Sequence, residues 1–127
     1  MKKTMPFDFL LDYLPPGVVI KQNFGMYYIY WEGKIVLILR DQPKDSHHNG
    51  IWISTRREDH ASLKADIPAI TDFVFNEGEV FDTAWLLLRP DHDDFETAAI
   101  HTCDLVSHRD KRIGKATKKA AELARLQ

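Results

Sequence analysis

FGMYYIYWEGKIVLILR, residues 24–40, holds two apolar, aromatic and β-branched runs, Met26 to Trp31 and Lys34 to Leu39, on either side of Glu32-Gly33. A two-residue loop containing glycine between such runs signals a β-hairpin. Alternation along the second run sends Ile35, Leu37 and Leu39 to one face of the sheet and Val36 and Ile38 to the other, and both sets are apolar. A strand that is apolar on both faces has to be covered on both.

Working outward, Phe7, Leu10, Leu11 and Leu14 recur at helical spacing after Thr4, an N-cap candidate, and Pro6, and Pro15-Pro16-Gly17 stops that helix. Val18 to Gln22 is extended chain leading into the hairpin. The segment DQPKDSHHNG, residues 41–50, has no apolar residue and reads as an exposed loop. Ile51 to Ile53 makes a third strand. Thr55 with Glu58 forms a capping-box pattern for a helix from Arg56 to about Ala65. Thr71 to Phe75 and Val80 to Leu88 are the fourth and fifth strands, joined by a turn at residues 76–79. Asp93 with Glu96 starts a last helix whose apolar stripe is Phe95, Ala99, Cys103 and Val106.

The order αβββαββα predicts an α+β two-layer sandwich, a five-stranded and largely antiparallel sheet with helices on one face. Residues 1–113 form the domain and residues 114–127 a basic tail or frayed helix. In such a fold the uncovered sheet face would expose Tyr28, Tyr30, Val36, Ile38, Trp52 and Leu88, and exposed apolar area on that scale marks an interface. The expectation is a homodimer, or a protein partner, seated on that face; the alternative is that the last helix and the tail wrap round and cover it.

The pattern Phe24-Gly25, Ile29-Tyr30 and Gly33-Lys34 followed by apolar residues resembles the N-terminal domain of the TfoX/Sxy competence-regulator family, whose α+β fold is shared with the YjbR-like proteins. The resemblance is best over residues 24–40. Asn23 stands where the family tends to have Met, residues 41–50 are longer and richer in histidine than the usual loop, and the second domain of full-length TfoX proteins has no counterpart in these residues. The resemblance implies a stand-alone domain without established catalytic activity.

Charge and composition narrow the function classes. The chain has 127 residues, 44% of them hydrophobic, which suits one domain with its own core. Its longest apolar runs fall well short of the ~20 residues that span a bilayer. Asp8 and Asp12 interrupt what would be the apolar part of a signal peptide, and the single cysteine has no internal partner, so the expected compartment is the cytoplasm. The net charge of −2 conceals an uneven distribution: residues from Arg109 onward carry seven basic and two acidic groups. Arg109, Lys111, Arg112, Lys115, Lys118 and Lys119 are therefore candidates for phosphate contacts with nucleic acid. No stacking aromatics accompany them and the remaining body is acidic, which disfavours that reading.

Chemistry has little support. His47-His48 beside Asp45, and the run Asp91-His92-Asp93-Asp94, contain metal-ligating atom types, but adjacent histidines on a loop point apart and no HExxH or cysteine pair anchors a site. A small-ligand or metal site centred on His47 and His48 stays an alternative, with metal and cofactor expected to be none. Cys103 reads as a buried small apolar residue, His101 and His108 share one helix face, and Asp82 with Arg89 could line a pocket. Phosphate loops and a G-x-S-x-G nucleophile motif are missing from the sequence.

Overall fold

Two tight reversals build the sheet. A computed structural model describes residues 5–74 and 83–126. Within it β1 (Val19–Asn23) turns into β2 (Met26–Trp31) through Phe24-Gly25, and β2 into β3 (Lys34–Arg40) through Glu32-Gly33. Both central residues of each turn have positive φ, 54° and 71° in the first and 48° and 78° in the second. That pair is the signature of the type I′ hairpin turn, whose twist matches that of its strands. β4 (Gly50–Ile53) and β5 (Leu86–Leu88) complete an antiparallel sheet in the order β1-β2-β3-β4-β5. The layered α+β class expected from the sequence is the one observed.

Among the described residues three α-helices accompany the strands: α1 (His60–Asp66), α2 (Phe95–Ser107) and α3 (Lys118–Arg125). A two-residue strand, β6 (Lys115–Ala116), pairs with Lys34 and Ile35 of β3. Ser54 closes the seam where β4 and β6 share that edge: its N–H donates to the Val36 carbonyl and its carbonyl accepts from Gly114 N–H, at 3.0 and 2.8 Å. The segment from 114 onward is thus a strand and a helix.

One extra residue decides which side chains go where. Ile29 pairs with Leu37 but Tyr30 pairs with Ile35, so Val36 is bulged out of register. Strict alternation fails at that point. Val36 and Leu37, though consecutive, both join the main core, whereas Ile35 and Ile38 join a second cluster on the opposite face. The main core lies beneath α2, whose buried face is Phe95, Ala98, Ala99, Thr102, Cys103 and Val106, with Leu63 of α1 and Leu10 added. Phe7 meets Phe95 edge to face with ring centroids 5.2 Å apart. Each Leu or Ile buried there contributes about 1.5–3 kcal/mol relative to exposure.

The second face is smaller and differently covered. Ala120 and Leu123 of α3 pack on Tyr30, Ile35 and Ile38, with Val19, Met26, Tyr28, Trp52 and Trp85 partly buried around them. Thr117 starts this helix: its hydroxyl accepts the Ala120 N–H at 3.0 Å.

Several expectations change. Val36 and Leu88, assigned to an open face, lie in the main core, because the bulge turns Val36 over and Leu88 pairs with Ile51 on the α2 side. Tyr30 and Ile38 are on the second face but only 8% and 4% exposed, under α3. The first helix is a 3-10 turn, Asp8–Asp12, and Thr4 lies outside the described residues. The Thr55–Glu58 capping box does not form: a 3-10 turn at Arg57–Asp59 delays α1 to His60, and the buried Thr55 hydroxyl finds no hydrogen-bond partner among the described residues. At α2 no side-chain cap forms either, and His92 Nδ1 accepts the Asp94 N–H at 3.0 Å. Of the fourth strand, a single bridge between Thr71 and Leu87 is seen. Phe75, the turn at 76–79 and the start of the fifth strand, Val80 to Asp82, lie outside the described residues.

Candidate binding cleft

Arg40, at the end of β3, is 8% exposed and four neutral oxygens accept from its guanidinium. They are the carbonyls of Lys44 and Asp45 at 2.7 and 2.8 Å, Asn49 Oδ1 at 2.8 Å and Gln42 Oε1 at 3.2 Å. Charge-assisted bonds of this kind offset the cost of burying the cation. Asn49 also donates to the Gln42 carbonyl at 2.8 Å, and Gln42 Nε2 donates to the Phe24 carbonyl at 3.0 Å. The polar loop is therefore wound around one buried side chain, and this fixes the short turn Ser46–His48 against the sheet.

β4 places the next wall. Ile51 and Ile53 face the main core, so Trp52 between them faces the other side. Its indole N–H donates to the His48 carbonyl at 2.9 Å. The His48 ring points Nε2 at the Val74 carbonyl, 3.2 Å away, which makes Nε2 the donor, and it meets Phe73 edge to face at 5.6 Å. Phe73 and Trp85 close on Trp52 at 5.0 and 6.3 Å between ring centroids, with interplanar angles of 83° and 68°. His60 Nε2 lies 2.8 Å from the Ala84 carbonyl and anchors the chain just before Trp85. His48, Trp52, Phe73, Thr83 and Trp85 enclose an open-sided cleft of about 160 Å³, at the margin of the face that α3 covers.

A larger hollow of about 470 Å³ lies between the end of α1 and the start of α2, bordered by Asp66, His92, Asp94 and His101. Its polar groups answer one another: His101 Nε2 is 3.5 Å from Asp66, and Arg112 reaches the same carboxylate at 2.9 Å. Ile67, Pro68, Ala69 and Ala98 also border it, whereas Trp52, Phe73 and Trp85 converge on the smaller cleft, which makes the aromatic cleft the candidate binding site.

The other candidates are distributed as follows. Arg109 forms two bonds to Glu32, at 2.8 and 2.7 Å, and its guanidinium lies 5.0 Å over the Trp31 ring. Arg112 bonds Asp110 and Asp66, and its hydrogen bonds hold the Asp110 carboxyl below the usual range. These two of the six phosphate-contact candidates are thus engaged within the molecule. Lys111, Lys115, Lys118 and Lys119 are exposed; the last two sit in the first turn of α3, where the helix dipole disfavours cations. Burial pushes the Cys103 thiol up to about 12, which removes it as a nucleophile at neutral pH. The His47 and His48 rings lie 4.1 Å apart. Among the described residues no three His, Cys, Asp or Glu side chains group as metal ligands. Arg89 pairs with Asp91 at 3.1 Å through two bonds and keeps that carboxyl below its usual range; Asp82 lies outside the described residues.

Trp52 and His48 were visible as candidates in the sequence; Phe73, Thr83 and Trp85 were not. The signal was there in part, since Trp85 precedes an all-leucine strand. Comparison with protein-family models, curated proteins and solved structures finds no match for this chain.

Proposed function

We propose that this chain is a non-catalytic binding domain whose recognition site is the aromatic cleft on the second sheet face. The observation that carries the reading is the convergence of Trp52, Phe73 and Trp85 on one small, open-sided space bordered by a loop that Arg40 holds rigid. Pre-formed aromatic clefts with few polar groups bind apolar or planar groups at little ordering cost. A non-catalytic role is also what the TfoX-like resemblance of residues 24–40 implies. A second copy of the chain is the competing occupant, but α3 occupies the centre of the face on which a dimer was expected.

The three indole N–H groups supply a direct test by proton–nitrogen correlation spectra. Small aromatic and branched aliphatic fragments should move the Trp52 and Trp85 signals. Trp31, whose indole donates to the Pro16 carbonyl at 3.1 Å far along the chain, serves as the internal control. Spectra indifferent to every fragment would overturn the reading. A species of twice the 14.7 kDa mass that Trp85→Glu abolishes would give the face to a second copy instead.

A further inference from the structure

The strand β1 forms an open margin of the sheet, at the end away from β5 and the aromatic cleft. Its pairing with β2 fixes which of its backbone groups are used. Residues flanking a two-residue hairpin turn exchange both backbone bonds, and bonded pairs then alternate along the ladder. Asn23, Lys21 and Val19 therefore bond to Met26, Tyr28 and Tyr30, while Ile20 and Gln22 aim N–H and C=O away from the sheet. No backbone partner answers them among the described residues. At the opposite margin Thr71 and Leu87 exchange N–H to carbonyl bonds, both 2.8 Å long. β1, VIKQN, has no proline, glycine or bulge to blunt it as a template for another strand.

Side chains along this margin narrow what can pair with it. Val18 and Ile20 pack on the main core and Val19 on the second cluster, and all three stay partly exposed. The one charge on β1 is Lys21, which is exposed. Two copies related by a two-fold axis can pair antiparallel only in registers centred on a single residue, since facing side chains must share a face. A register centred on Lys21 sets lysine against lysine, which repels. Registers centred on Val19 or Gln22 run the second copy into Gly17, where φ is 92°, or into the Phe24-Gly25 turn. Centring on Ile20 avoids both. It sets Ile20 against Ile20, Val19 against Lys21 and Val18 against Gln22, covers the exposed aliphatic groups and gives the outward N–H and C=O groups their partners.

We infer that β1 is a self-association edge: two copies of this chain join antiparallel through β1, centred on Ile20, into one continuous sheet. The contact is short beside the ~1,200 Å² of a stable interface, so the dimer is weak and concentration-dependent. Neither the aromatic cleft nor α3 takes part in it.

Sedimentation equilibrium of the full chain should show the mass climbing from 14.7 kDa toward twice that value as protein rises to millimolar concentration. Gln22→Pro removes an outward N–H and spares the bonds to β2, so it should weaken association at least tenfold with an unchanged circular dichroism spectrum. Cross-linking reads the register without relying on that variant. Ile20→Cys should oxidise to a covalent dimer, because facing Cα atoms of a bonded pair lie about 5.5 Å apart, within disulfide reach. Gln22→Cys should not, because the same register separates its two copies by about 13 Å along the strands. The native Cys103 is buried and does not compete. A mass of 14.7 kDa at every concentration would overturn the inference. So would cross-linking at position 22 and not at 20, or a dimer that Trp85→Glu dissolves and a folded Gln22→Pro leaves intact. Each of these outcomes is separate from the fragment spectra that test the cleft.

Discussion

The two faces of the sheet are closed in different ways. The first is covered by a thirteen-residue helix, α2, and filled by leucines and isoleucines such as Leu37, Leu39, Ile51 and Ile53 that have no solvent exposure. The second is covered by the eight residues of α3, which contribute only Ala120 and Leu123, and it ends in aromatic side chains that stay partly exposed. The first face is built for stability. The second combines a light cover with a margin of partly exposed aromatic side chains, which suits a recognition surface.

Substitutions on each face can separate them. Leu37→Ala on the first face should cost about 2–5 kcal/mol, the range for fully buried leucines, and lower the denaturant midpoint severely. Leu123→Ala on the second should cost about 2 kcal/mol, the low end of that range, since its surroundings can close in. Thr117→Ala, which removes the cap of α3 without touching either cluster, should cost about 1 kcal/mol. Urea titrations of the three variants under one buffer supply the comparison. Equal losses at Leu37 and Leu123 would mean that the faces are equally tight and would end the distinction drawn here.

Much of this was legible in the chain. The hairpin turn at Glu32-Gly33, the excess of apolar residues on both sides of β3, and the stripe of α2 all follow from spacing and turn chemistry, whereas Val19–Asn23, read as extended chain, proves to be a strand paired through a second turn at Phe24-Gly25. The face assignment was not, because it hangs on Val36: pairwise alternation is blind to a bulge, which arises from where the partner strand settles. Whether the last residues are ordered was left open for a related reason. Residues 115–126 look polar and alanine-rich, and the two apolar contacts at Ala120 and Leu123 only make sense once Tyr30, Ile35 and Ile38 are known to lie beneath them. The cleft depends on Phe73 and Trp85, which come close to Trp52 only through tertiary packing.

The arginine at the end of β3 has a practical corollary. Asp41 to Asn49 has the make-up of a dispensable connector, the sort of segment into which one would splice a reporter or expect a protease to bite. With its oxygens gathered on the Arg40 guanidinium, that segment behaves as masonry. Lengthening it would dismantle the wall carrying His48.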